Sequence, residues 1–296
     1  LFRMYKYIEN ANQLLVDLND TYNLTNATYS FYTCRINKFF EEYMGDSQNE
    51  NKPLDAITYY DVNEYFRTLE CSSAQKLNHY QSLKRFFDFS YLSGKTQEIM
   101  SRVTKPEHDK PEPEYIKDEH FDILCEFINN RDNCFEERLL LALFLYTGLS
   151  RNYISSLRNS QFEYYNGMYQ IKIWKDEKVG NENLEKEYII PLKAQLQLLV
   201  AQQVDNAQKS RCSLDKVFDM NENYMSTKIK NLSERIVEKK YTPTAFSNTF
   251  IKKCLEQGNR IWEVSKLLLE DIGTIQKHVI EKEDLYTRQM SIINGF

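Results

Sequence analysis

The stretch from Lys105 to Pro113 reads KPEHDKPEP, with three of the chain's 6 prolines and no apolar side chain. Proline fixes φ, lacks an amide hydrogen and bars the residue before it from helical geometry, so no helix or central strand runs through such a stretch. With nothing to bury, it cannot enter a core either. A chain of 296 residues is long enough for two cores, one on each side. The expected division is a domain over residues 1–105, a linker over 106–113 and a second domain over 114–296.

The first part carries helical periodicity throughout. Tyr5, Ile8, Leu14, Leu15 and Leu18 predict a helix from Leu1 to about Thr21, and Tyr29, Tyr32, Ile36, Phe39, Phe40 and Tyr43 a second one capped by Thr25 or Thr28. A polar loop from Gly45 to Pro53 follows. Thr58 with an acidic first turn opens a third helix, and Ser72 or Ser73 a fourth that carries Leu77, Leu83, Phe86, Phe87 and Tyr91 and stops at Gly94.

In the second part, helices are predicted over Lys117 to Asn129 and Glu136 to Tyr146, the latter apolar nearly all round and so central to a core. Tyr169 to Trp174 and Glu187 to Pro191 predict a hairpin around a polar turn, Lys175 to Lys186. Four or five helices follow from Leu192 to about Lys282, with Gly258 as an interior stop.

Several function classes are disfavoured. The longest apolar run, Leu139 to Tyr146, is far shorter than the ~20 residues a membrane span needs, and the first residues lack a signal-peptide layout, so a cytoplasmic location without a membrane is the expectation. Cys34, Cys71, Cys125, Cys134, Cys212 and Cys254 form no C-x-x-C pair, and only 4 histidines accompany them. Neither a metal site, a disulfide framework nor a cofactor is indicated, and each cysteine is read as a small buried hydrophobe. A net charge of −5 weighs against nucleic acid as a partner unless basic residues are concentrated locally.

The order of a four-helix domain, a proline-rich linker and helices interrupted by a small sheet resembles the tyrosine recombinases. Four local matches carry the resemblance. The run from Leu139 to Thr147-Gly148-Leu149, followed by Ile154 and Leu157, is similar to that family's apolar helix and T-G-L-R turn, with Ser150 where the family has its first catalytic arginine. Tyr188-Ile189-Ile190-Pro191-Leu192 resembles the end of the family's sheet, whose turn carries a catalytic lysine, with Lys175 and Lys178 as candidates. Tyr241 to Phe250 resembles T-P-H-x-L-R-H-T-F, with Thr244 at the histidine and Ser247 at the second arginine. Gly258 through Leu267-Leu268-Leu269-Glu270 resembles the approach to L-G-H, with Glu270 at the last histidine, and His278 falls at the nucleophilic tyrosine of a T-x-x-Y-like context beginning at Thr274. Tyr286 has family-like neighbours but lies too far past Glu270 for the usual geometry.

The resemblance implies a mainly α fold in two domains: a helical, core-binding-like N-terminal domain and a C-terminal mixed helical domain with a small antiparallel sheet. It also implies a grip on duplex DNA. With Ser150, Thr244, Ser247, Glu270 and His278 at the catalytic places, cleavage is not expected, because serine brings neither charge nor a bidentate fork and a carboxylate repels phosphate. The expected DNA-facing residues are Lys76, Lys84 and Arg85 in the first domain, and Arg151, Arg158, Lys175, Lys178, Lys228, Lys230, Lys252 and Lys253 in the second. Met225 to Lys230 resembles a family segment that opens a DNA-contacting helix. A non-cutting member of this kind is expected to be a prophage transcriptional repressor. The alternatives are a recombinase using Tyr286 and a protein-interaction module that has lost DNA. Self-association through the segment from Lys282 to Phe296 and a regulatory protein partner are further expectations.

Overall fold

The computed structural model describes residues 4–107, 112–179, 182–209, 215–279 and 293. Its backbone contacts divide into two compact units, Leu1–Pro111 and Glu112–Phe296, and the division falls within the proline-rich stretch. It is mostly helical, with one small antiparallel sheet, and no helix among the described residues is long and apolar enough to cross a membrane.

In the first unit, α1 (Ile8–Tyr22), α2 (Asn26–Lys38), α3 (Tyr59–Thr68) and α4 (Ser73–Leu92) surround an aromatic core. Helix α1 begins later than its apolar spacing predicts. Tyr5 lies ahead of it, buried, with its hydroxyl donating to the Lys52 carbonyl at 2.8 Å. A tertiary hydrogen bond, and not helical register, places that ring. Helix α2 is capped by Thr25 and runs on into a π-helical turn over Phe39–Tyr43. That turn brings Phe39 and Phe40 onto Phe87 and Phe86, with ring centroids 6.0 and 5.4 Å apart. Asp61 closes the start of α3 by accepting from the Thr58 amide at 2.7 Å, from its hydroxyl at 2.8 Å and from Lys52 Nζ at 2.6 Å. Ser72 and Gln75 form a reciprocal capping box at α4.

In the second unit, α5 (Asp118–Asn129) and α6 (Phe135–Thr147) are followed by α7 (Arg151–Ser156), the strands β1 (Phe162–Tyr165), β2 (Met168–Val179) and β3 (Glu182–Pro191), and then α8 (Ala194–Lys209), α9 (Glu222–Val237), α10 (Pro243–Glu256), α11 (Ile261–Leu268) and α12 (Ile272–Gln276). Every residue of α6 from Leu139 to Thr147 is buried, which makes it the axis around which the others pack.

Three expectations are corrected. The polar stretch from Lys175 to Lys186 is not a turn: β2 and β3 stay paired through Lys175 with Lys186 and on to Val179 with Glu182. Backbone hydrogen bonding sustains such a ribbon where neither face needs to be apolar, so alternation fades while the ladder continues. A third strand, β1, pairs with β2 across Asn166-Gly167, both at positive φ, an arrangement whose Asn-Gly signal was present in the sequence. Among the described residues no cysteine is fully buried: Cys34 and Cys134 are exposed, and Cys71, Cys125 and Cys254 are half-buried against the apolar clusters. Cys34 lies on the solvent side of α2 and Cys134 at the cap position of α6, where no core covers them. Cys212 lies outside the described residues.

His79 of α4 is buried and shares a hydrogen bond with the Tyr65 hydroxyl at 3.0 Å. Burial first, and then the Arg35 and Lys38 cations, push its pKa down from 6.5 to about 4. Between those values the unfolded chain binds a proton that the folded protein refuses, so this group's contribution to stability is present above about 6.5 and is lost as pH falls toward 4. Replacing His79 with Gln, which still offers Tyr65 an acceptor, is expected to remove that part of the acid sensitivity. Urea midpoints of the two proteins, measured across this interval, should converge as pH falls; parallel curves would refute the assignment.

Candidate functional site

The site of interest begins where α6 ends. Thr147 Oγ1 donates to the Leu143 carbonyl at 2.6 Å and accepts from the Leu149 amide at 3.2 Å, which turns the chain inward. Gly148 sits at φ 65°, and a Cβ there would lie 2.6 Å from both the Leu268 and Phe250 side chains. Only glycine satisfies the left-handed backbone and this close approach together. The turn delivers Ser150 to the cap position of α7 in extended geometry, and its side chain makes no capping hydrogen bond.

Helix α10 supplies the facing wall. Thr242 caps it by accepting from the Ala245 amide at 3.2 Å, Pro243 occupies its first position, and Thr244, Ser247, Asn248 and Ile251 share one face at helical spacing. Asn248 Nδ2 also donates to the Glu114 carbonyl at 3.1 Å, and the Ile116 amide donates to Thr249 Oγ1 at 2.8 Å, which fastens the segment leading into α5 against α10. At the end of α11 the left-handed Leu269 reverses the chain, Lys175 Nζ donates to its carbonyl at 2.7 Å, and Ser265 Oγ donates to the Glu270 carbonyl at 2.6 Å. Glu270 is thereby presented to the same space.

These groups line one cavity of about 560 Å³. Ser150, Thr244, Ser247 and Glu270 meet there with Arg151, Asn152, Ser226, Lys230, Thr242, Asn248 and Thr274. Lys230 is half-buried and forms no ion pair among the described residues, whereas Arg151 is exposed and lies 3.7 Å from Glu222. Burial raises the Glu270 carboxyl above its ordinary value; Lys175 opposes the rise and Asp271 adds to it. Tyr153 is likewise pushed up, by burial and then by the Glu270 charge. Among the described residues the lining is hydroxyls, amides, one lysine, one carboxylate, a rim arginine and the apolar Pro243 and Ile251, with no histidine, cysteine or tyrosine. Such a set donates hydrogen bonds to an oxygen-rich ligand and offers no paired nucleophile and imidazole base.

His278 does not join this cavity. It is buried with Nδ1 2.9 Å from the Tyr115 hydroxyl, its rings meeting edge to face, and it faces a different recess beside Lys252 and Trp262. The α12 turn carries it there, and burial followed by the Lys277 charge lowers its pKa. Tyr286 lies outside the described residues.

The basic candidates separate by their partners. Lys76 donates to the Phe66 carbonyl at 3.0 Å, Lys84 pairs with Asp88 at 2.8 Å, and Arg85 lies 3.8 Å over the Tyr22 ring. Lys228 pairs with Glu136, Lys253 with Asp118 at 2.9 Å, and Lys252 lies over Tyr115 and 3.9 Å from Glu256. Lys175 is held by Leu269, Arg158 is exposed, and the Lys178 side chain is outside the described set. Of the candidates whose side chains are described, only Arg151 and Lys230 reach the cavity. Asn152, Thr242 and Asn248 were missed in the sequence. Asn248 was signalled by its position four residues after Thr244, on the same helix face.

Among solved structures, the chain is similar to the Tn1549 transposon integrase in complex with transposon right end DNA, at a TM-score of 0.70 and 12% identity over 96% of this chain and 99% of that one. It is also similar to the XerH site-specific recombinase bound to difH substrate in a pre-cleavage complex, at 0.66 and 18% over 90% and 81%. A post-cleavage complex of XerH with a palindromic difH substrate matches at 0.69 and 16% over 95% and 84%. No family model and no curated protein matches the sequence. The fold is that of the tyrosine recombinases and integrases.

Because the turn admits no Cβ, Gly148→Ala is expected to destabilise the second unit by about 2–4 kcal/mol through overpacking and a disfavoured backbone conformation. Urea denaturation followed by Trp fluorescence measures this, and an unchanged midpoint would show that Phe250 and Leu268 yield freely.

Proposed function

We propose that this protein binds duplex DNA and does not cut it, acting as a transcriptional repressor of the prophage kind. The observation that carries the proposal is the cavity in which Ser150, Thr244, Ser247 and Glu270 converge. Its hydroxyls, the amide end of α10 and Lys230, which has no ion pair among the described residues, form a suitable grip for a backbone phosphate. The solved structures that share the fold include recombinases and integrases in complex with DNA, which supports duplex DNA as the ligand.

The same lining argues against strand cleavage. Phosphoryl transfer needs fixed positive donors where charge develops, and loss of one such donor typically costs on the order of 10²–10³ in rate. Neither serine supplies charge, and Glu270 in its ionised form repels the phosphate. Arg151 does not restore the fork: adjacent helical residues point ~100° apart, and its guanidinium lies near Glu222. A protein that holds a site without turnover blocks it for as long as it stays bound, which is what repression requires. A protein-interaction module is the competing reading, favoured by the net charge of −5 and the carboxylate partners of Lys84, Lys228 and Lys253.

Fluorescence anisotropy on duplex DNA drawn from a random library is expected to show binding that weakens steeply with salt. Lys230→Ala should weaken cognate and unrelated duplexes alike and make the salt slope shallower by about 0.9, as for one lost phosphate contact, with a smaller effect for Lys228→Ala. Absence of salt-sensitive binding would leave the interaction module standing. Nicked suicide substrates are expected to trap no covalent adduct, and an adduct abolished by Tyr286→Phe would establish a working recombinase instead.

A further inference from the structure

Helix α10 has a second working face. While Thr244, Ser247, Asn248 and Ile251 look into the hydroxyl cavity, Phe250, Lys253, Cys254 and Gln257 line a separate recess of about 440 Å³. At ~100° per residue the two faces are roughly 120° apart, so one rigid helix forms a wall of both. The recess is closed on its other sides by Tyr146 near the end of α6 and by Leu192 and Lys193 just after β3. Its volume lies in the ~300–1,000 Å³ range of small-molecule sites, and its floor is apolar and aromatic.

The charged groups of this lining are all of one sign. Among the described residues Lys193 and Lys253 line it and no carboxylate does, in a chain where 43 acids outnumber 38 bases. Lys193 is exposed, 4.7 Å from the Tyr146 ring centroid, and has no ion pair among the described residues. Lys253 sits over Phe121 and pairs with Asp118, an exposed carboxylate that an incoming anion can replace at little cost. The last turn of α10, with its carbonyl end, disfavours a multiply charged anion such as a phosphate. An apolar body carrying a single carboxylate satisfies floor and rim together.

A route from this recess to the first cavity is also present. Phe250 lines the recess, and its ring is one of the groups that a Cβ on Gly148 would strike, two residues before Ser150. A ligand that presses on Phe250 displaces the turn that delivers Ser150.

We propose that this recess binds an amphiphilic monocarboxylate and that its occupancy, acting through Phe250 and Gly148, weakens the hold of the hydroxyl cavity on DNA. The first half stands alone; the second rests on the DNA-binding reading above.

The probe is octanoate, used below its micellar concentration on the full chain, with octanol and acetate as the uncharged and tailless comparisons. Cys254 lines the recess, whereas Cys34 and Cys134 are exposed elsewhere, so peptide-resolved N-ethylmaleimide labelling reports occupancy directly. Octanoate at about ten times its Kd should slow Cys254 alkylation about tenfold and leave Cys34 and Cys134 unchanged. Acetate should not protect, and Lys193→Gln, an exposed change, should weaken protection by octanoate. Equal protection by octanol, or none by octanoate, overturns the site. Protection that instead rises with protein concentration alone would assign the recess to a second copy of the chain and also overturn it. On DNA, octanoate should weaken binding by about fivefold or more, and DNA should weaken octanoate by the same factor. Phe250→Leu, compared at octanoate concentrations raised until Cys254 is again fully protected, should abolish that coupling. Protection with unchanged DNA affinity overturns the coupling alone. Absence of DNA binding at every salt concentration is a failure of the function proposed above, seen without octanoate and therefore distinguishable.

Discussion

The second unit depends on a close approach at one backbone position. Gly148 lets the end of α6 lie directly against Phe250 of α10 and Leu268 of α11, with no room for a methyl group. Helix α6 is buried from Leu139 to Thr147, so it cannot shift to relieve pressure at its end, and close-packed interiors transmit such strain to their neighbours. Three elements far apart in the chain are thereby held to one point. Ser150, Thr244, Ser247 and Glu270 converge because the backbones that carry them are pinned there.

Around that point the polar groups are placed by backbone caps more than by side-chain networks. Thr242 and Pro243 start α10, Lys175 and Ser265 hold the end of α11, and Thr147 bends the turn. Ser150 makes no capping hydrogen bond and keeps its hydroxyl for a ligand, whereas Thr242, also in the lining, already accepts from the Ala245 amide. Lys230 is the one lysine of the described lining, and it has no carboxylate partner among the described residues. Net charge is therefore a poor guide to this protein's partners. Most of the candidate cations are already engaged locally, so a few positions decide the electrostatics of the site.

Glu270 gives the cavity a character of its own. A carboxyl raised by burial, with Lys175 on one side and the hydroxyl groups on the other, sits where a phosphate-binding site would be expected to present only donors. Its neutral form donates a hydrogen bond and its ionised form repels an anion, so the cavity's preference for anions is a balance and not a fixed property.

Much of the architecture was legible in the amino-acid sequence. The aromatic and aliphatic stripes and the caps at Thr25, Thr58 and Ser72 act within a few residues, so local chemistry determines them. The site's chain-distant members were visible only as motif positions resembling a family. What tertiary structure decided was partnership: that β2 and β3 run through a polar stretch, that Lys228 meets Glu136 and Lys253 meets Asp118, and that His278 turns toward Tyr115 and away from the cavity. Those outcomes join residues separated by many turns of chain, and their energies depend on which surfaces pack together. Spacing along the sequence set which side chains share a helix face, whereas the contact of Gly148 with Phe250 and Leu268 decided which faces look at one another.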